Sequence, residues 1–197
     1  IMGNNVMQLE LNESFKGKIL VAMPNIHSDI FRDSLVYITD HNTVSGAIGV
    51  IINKDLHGFE NEVTGSSRAT KISTEFHDKH QQWNLPFYMG GPVDYGSGFI
   101  LHTAKGNSKP KLTASAKVVL GTEDEIEPML LTSGYCLWET LQLEREVKHN
   151  QWLILDNAEI LFELMKEFTP ESRYDEALRI LGVTTLANFD FSRAGNA

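Results

Sequence analysis

The sequence predicts an α+β domain built on a mainly antiparallel sheet. Three observations carry that expectation. Strand-like runs crowd the stretch from Gly17 to Asn53 with only short turns between them. A second group of such runs surrounds the glycine-rich turn at Gly90-Gly91-Pro92, and apolar residues of the last third recur at helical spacing. Short turns can join antiparallel neighbours, whereas parallel strands need a crossover of a dozen or more residues.

Lys18-Ile19-Leu20-Val21, within Gly17–Ala22, reads as the first strand and stops near Pro24, because proline withholds a ladder donor. Phe31-Arg32-Asp33-Ser34 leads into Leu35–Thr39, rich in β-branched and aromatic residues. Asp40-His41-Asn42 then reads as a turn. Gly46–Ile52 is almost continuously apolar and ends on Asn53, the pattern of a strand buried on both faces. A polar middle runs from His57 to Asn84, with a short helix expected within Ser73–Trp83. Phe87–Met89 and Gly98–His102 are expected to pair as a hairpin around the Gly-Gly-Pro turn. A lysine-rich connection from Thr103 to Ala116 precedes a short strand at Val118–Leu120.

Thr122 followed by Glu125 fits a capping box, and Leu137, Leu141, Glu144 and Lys148 share a helical period, so helix is expected there. Trp152–Leu155 reads as a strand and Asn157–Met165 as a helix. Ser172 opens a last helix with Tyr174, Ala177, Leu178 and Leu181 on one face, and Gly182 as its C-cap. The expected organisation is a tail over 1–16, one domain over 17–187 and a tail over 188–197.

Composition narrows the function classes. The chain has 197 residues, 42% of them hydrophobic and 22% charged, enough to bury a sizeable core in one domain. Its formal net charge is −9. Phosphate contacts supply most nucleic-acid affinity, so direct nucleic-acid binding is not expected. Lys105, Lys109, Lys111 and Lys117 read as solvated surface. Cys136 is the one cysteine, which rules out an intramolecular disulfide and suits a reducing compartment. No run approaches a membrane span. The first residues, Ile1–Met7, lack a basic region followed by an apolar stretch, so the cytoplasm is the expected location.

No motif specifies a reaction. The nucleophile elbow and the phosphate loop are both absent. Gly96-Ser97-Gly98 lacks the third glycine of a dinucleotide fingerprint and precedes a strand. His77 and His80, with Glu75 and Asp78, have metal-ligand spacing but read as a charged surface. Cys136 has no nearby base and reads as an inert thiol. The remaining polar candidates stand at strand ends or glycine turns, where sites often lie. They are Arg32, Asp33, Asn53, Lys54, Gly90, Gly91, His102 and Tyr135, expected to line a ligand pocket near the Gly-Gly-Pro turn. No cofactor and no metal are expected.

Several motifs in order resemble the YqgE/AlgH family of bacterial proteins. They are Ala22-Met23-Pro24, Phe31-Arg32-Asp33-Ser34 with Val36-Tyr37-Ile38, Gly46–Lys54, Gly90-Gly91-Pro92-Val93 and Gly98–His102. Gly134-Tyr135, Trp138, Gln142-Leu143-Glu144, Trp152-Leu153, Ala177-Leu178 and Leu181-Gly182 continue the series. The resemblance implies an irregular, partly barrel-like sheet surrounded by helices. It also implies a bacterial cytoplasmic protein of the kind described as transcriptional regulators, without an established catalytic activity. After Gly134-Tyr135 the family usually carries small residues and a Gly/Pro-rich turn. Here Cys136, Leu137, Glu139, Thr140 and Leu141 stand instead, which predicts a helix extended toward its N-terminus. Ser97 stands where arginine is common, and Asn196 where histidine is usual. The first functional expectation is a regulator acting through an unknown protein partner rather than by catalysis. The alternative is a small-molecule binder or weak hydrolase using the strand-end pocket.

Overall fold

The computed structural model describes residues 13–55, 83–85, 87–106, 113–115, 125–156 and 158–183. The described strands are β1 (Ile19–Ala22), β2 (Leu35–Asn42), β3 (Gly46–Ile51), β4 (Phe87–Met89), β5 (Val93–Ala104), β6 (Thr113–Ser115), β7 (Ile126–Trp138) and β8 (Trp152–Leu155). The helices are α1 (Gln142–Lys148), α2 (Ala158–Glu167) and α3 (Pro170–Ile180). The sheet runs β6-β5-β7-β3-β2-β1-β8, with every neighbouring pair antiparallel. It curls into a half-barrel flanked by the few helices, an α+β architecture.

β7 is the spine of this sheet. Its first part pairs with β5, its last residues pair with β3, and Leu131–Ser133 also pair with β4. A strand covered on both faces needs apolar or small side chains on each, and Leu130 and Leu131 pack into two separate clusters. Leu130, Leu131, Thr132 and Ser133 are all buried. That burial overrides the helical signal read around Leu137. Thr122 lies outside the described residues, while Leu137 lies in β7 with Cys136 and Trp138 facing the opposite way. Helix begins only at Gln142, so the N-terminal extension expected from Leu137–Leu141 does not form.

Two further expectations are corrected. β4 and β5 do not form a hairpin; they flank β7, with β4 parallel to it and β5 antiparallel. Asp40-His41-Asn42 is no turn, because β2 continues through it past an irregularity between Ile38 and Asp40. A bulge re-aims side chains without ending pairing. Here His41 is buried and accepts a hydrogen bond from the Phe15 N–H at 3.0 Å on Nδ1. Phe15 thereby joins the core, inside the stretch expected as a tail. The helix expected within Ser73–Trp83 and the strand at Val118–Leu120 lie outside the described residues, Trp83 excepted.

The core centres on Ile19, Leu20, Leu35, Ile38, Ile51 and Ile52 from β1–β3 and the residues just beyond. Each fully buried aliphatic side chain contributes about 1.5–3 kcal/mol. α2 and α3 close it through Leu164, Tyr174, Ala177 and Leu178. Arg173 is 4% exposed and donates Nη1–H to the Ile52 carbonyl at 2.7 Å and Nε–H to the Leu164 carbonyl at 3.0 Å. It thus satisfies a carbonyl near the C-terminus of α2, where helices leave acceptors open, while its guanidinium lies 5.5 Å from the Tyr88 ring centre. Beyond α3, Gly182 N–H reaches Arg179 O and Val183 N–H reaches Leu178 O. With Gly182 at φ 80°, this is the Schellman ending expected at that glycine.

Candidate functional site

The strand-end polar residues form a hydrogen-bonded clamp. Asn53 Oδ1 accepts the Leu35 N–H at 2.8 Å, and its Nδ2 donates to the Asp33 carbonyl at 2.8 Å. Lys54 Nζ donates to the Arg32 carbonyl. Burial lowers the Lys54 pKa; the Asp33 charge opposes this and Arg32 adds to it. Asp33 takes the left-handed conformation at φ 53°, and Arg32 turns outward to Asp29 at 3.2 Å. All four residues therefore sit together, and their contacts fix the loop entering β2.

The glycine-rich turn is packed against another stretch of backbone. A Cβ on Gly91 would lie 2.2 Å from the Tyr135 carbonyl carbon, and one on Gly134 would lie 2.3 Å from the Gly91 oxygen. Both residues adopt positive φ, 155° and 74°, a region glycine enters without steric cost. Gly90 donates its N–H to Ser133 O and accepts from Ile51 N–H, both at 2.8 Å. The Cys136 thiol donates to the same Gly90 oxygen at 3.4 Å. Burial pushes that thiol far above its ordinary pKa, so thiolate chemistry is suppressed there.

Tyr135 sits beside this crossing, paired in register with Val93, and meets Phe99 edge to face at 6.1 Å. His102 lies elsewhere. It is opposite Pro128, seven residues along β7 from Tyr135, about 23 Å at strand rise. Burial lowers the His102 pKa, and a hydrogen bond with the Thr103 backbone opposes that shift. The clamp and the glycine crossing adjoin, with Met89 N–H donating to the Lys54 carbonyl at 2.9 Å and Ile51 N–H to the Gly90 carbonyl at 2.8 Å, while His102 lies apart from Tyr135 along β7. Among the described residues no group of three or more His, Cys, Asp or Glu is placed to hold a metal. His77 and His80 lie outside the described residues.

A cleft of ≈ 320 Å³ opens on another face. Asn25, Ile26, His27, Ser28 and Phe31 line it together with Leu137, Trp138, Gln142, Glu146, Gln151 and Trp152. Glu146 gathers three of its neighbours' donors. Its Oε2 accepts both indole N–H groups, from Trp138 at 2.9 Å and from Trp152 at 2.8 Å, and its Oε1 accepts the Gln142 amide at 2.9 Å. The two indoles meet edge to face at 6.2 Å, and Phe31 packs on Trp152 at 5.7 Å. No lining residue stands among the strand-end candidates. The available signal was the spacing of Gln142 and Glu146 on one face of α1, between two tryptophans that each need an acceptor when buried.

Leu137 lines this cleft and is also one of three large apolar side chains left exposed. Val44, Leu137 and Leu141 are 80%, 53% and 42% exposed, the exposed large hydrophobics among the described residues. The Thr140 hydroxyl donates to the Val44 carbonyl at 2.7 Å, tying the β2–β3 turn to the turn before α1. Leu141 takes the left-handed conformation, φ 60° and ψ 8°, which costs a β-carbon residue about 1–2 kcal/mol.

Residues 19–186 match a family described as AlgH-like. The YqgE proteins of Shigella boydii serotype 4 and Escherichia coli K12, named UPF0301, are each 37% identical over 179 residues, covering 85% of this chain and 91% of theirs. The solution structure of AlgH from Pseudomonas aeruginosa superimposes with a TM-score of 0.52 at 23% identity, over 94% of this chain and 95% of that one. The crystal structure of a Corynebacterium diphtheriae protein gives 0.61 at 16% identity, over 96% and 100%. These two show the same fold; the sequence match along β1 to α3 shows more, and this chain belongs to the AlgH-like family.

Proposed function

We propose that this protein is a cytoplasmic regulator that acts by binding another protein, not by catalysis. The observation that carries the reading is the exposure of Val44, Leu137 and Leu141, two of them in turns held together by the Thr140–Val44 hydrogen bond. Three exposed apolar side chains contribute little to the core, and the Leu141 backbone holds a conformation that glycine would hold without strain. Apolar surface rimmed by polar residues is what a partner buries. The net charge of −9 favours a protein partner over nucleic acid.

The test uses the double variant Leu137→Ser with Leu141→Gly. Both changes remove exposed apolar surface, and the second relieves strain, so the fold should be at least as stable. Each protein is tagged, expressed in its own cells and its stoichiometric partners quantified. A partner held by the wild type and lost by the variant supports the reading. Identical partner profiles, or none for either, overturn it.

A further inference from the structure

We propose that the cleft lined by Leu137 and Glu146 receives a lysine side chain of the partner protein, with Glu146 as the counter-charge. The inference rests on the protein-contact reading above and adds the chemistry of the partner.

Three N–H donors hold the Glu146 carboxylate, and all three are neutral. Among the described residues no ion pair to Glu146 is formed. A carboxylate that forms no ion pair with the described residues is complementary to a positive group from outside. The geometry also selects among cations. Oε2 already accepts two indoles, so a guanidinium cannot engage both carboxylate oxygens as its fork prefers. Oε1 has accepted one amide and keeps room for one more donor. An ammonium needs only a single carboxylate contact and can spend its other donors on amide oxygens. Asn25 and Gln151 line the same cleft.

The walls suit the rest of a lysine. Ile26, Phe31 and Leu137 offer apolar surface along the way in, and a lysine buries its methylene stem against such surface while its head stays polar. Leu141 and Val44 are exposed as well, and the Thr140–Val44 hydrogen bond holds their two turns together. The complementary segment therefore carries a lysine with apolar neighbours.

The probes are the peptides acetyl-Leu-Lys-Leu-amide, its norleucine and arginine analogues, and n-butylammonium chloride. Each is titrated to about 10 mM, which detects millimolar affinity, into the full-length protein while the Trp138 and Trp152 indole N–H resonances are followed by NMR. The lysine peptide is expected to shift both indoles and to bind at least fivefold tighter than the norleucine or arginine analogue. Glu146→Gln should abolish that preference. Because this variant also disturbs the indole bonds, Asn25→Ala and Gln151→Ala are measured alongside, and each should weaken lysine binding two- to fivefold with the fold intact. Equal binding of lysine and norleucine peptides, lost in Leu137→Ser, overturns the lysine proposal and leaves the apolar contact standing. Silent indoles with every peptide overturn the lysine proposal, whatever the partner profiles show. Shifts with n-butylammonium but with none of the peptides would assign the cleft to a free amine and likewise overturn a partner lysine.

Discussion

His41 Nε2 lies 2.7 Å from Glu144 Oε1, a contact between residues 103 apart in sequence, with the two side chains 1% and 8% exposed. Because Nδ1 accepts the Phe15 N–H, the proton of a neutral ring sits on Nε2 and is donated to Glu144. One imidazole therefore ties the segment before β1 to α1. Replacing His41 by Ala leaves a buried carboxylate and a backbone N–H without partners, and should destabilise the fold by about 2–4 kcal/mol. Urea denaturation of the variant reads this directly; a loss within error would show the pair to be incidental.

Arg173→Met keeps the volume and removes the donors. The Ile52 and Leu164 carbonyls then lose their contacts with Nη1 and Nε. A loss of about 2–4 kcal/mol follows from buried acceptors left open. Arg173→Lys restores charge but not the fork and should recover less than half of it. Equal stability of all three proteins would remove Arg173 from the account.

Gly91 and Gly106 form a matched pair. Both have positive φ, but a Cβ on Gly91 would strike the Tyr135 backbone at 2.2 Å, while Gly106 faces open space. Gly106→Ala should cost about 1 kcal/mol, whereas Gly91→Ala should prevent soluble expression or lower stability by more than about 3 kcal/mol. Comparable melting temperatures for the two variants would contradict the crossing.

Tyr174 donates its hydroxyl to the Ala22 carbonyl at 2.6 Å, and its pKa is pushed up to about 12, first by burial and then by the nearby Asp33 and Asp175 charges. The folded state holds this proton more tightly than the unfolded chain, whose tyrosine titrates near 10. The stabilisation is therefore complete below pH 10 and lost as pH rises from 10 toward about 12. Burial also raises Tyr37, which adds to the same loss. Stability should fall by on the order of 1–2 kcal/mol across that window, and by less in Tyr174→Phe. An ultraviolet titration with two-step phenolate formation checks the assignment.

Cys136 should resist iodoacetamide in the native protein, with a labelling rate that tracks unfolding as urea is added. Burial holds the thiol in its neutral form. Full native labelling within minutes would place the thiol at the surface.

Much of this was legible in the sequence, and the exceptions share a physical cause. β1, the start of β2, β3, β8 and the Gly182 ending all follow from local patterns, because each writes its environment into adjacent residues. The partners of β7 do not. Nothing local says that Phe87–Met89 should lie parallel to Leu131–Ser133, or that Asp40–Asn42 should continue as strand because His41 has a distant acceptor. Gly90 and Gly91 were expected to line a ligand pocket, and what packs against them is the chain's own backbone at Gly134 and Tyr135. The cleft escaped notice because tryptophans read as core residues, which at 3% exposure they are; only their shared acceptor reveals Glu146.

The placement of β7 and β8 also shapes how the newborn chain must behave. β1, β2 and β3 leave the ribosome first and can pair among themselves at once. Their outer edges must wait: β3 for the end of β7, and β1 for β8. At 5–20 residues per second that interval is roughly 5–20 s. During it two unpaired strand edges, rich in isoleucine and valine, stand open to other nascent chains. Slowed translation downstream of β3 should therefore raise aggregation more than any change in the finished protein's stability, and an early chaperone should matter more to this fold than a late one.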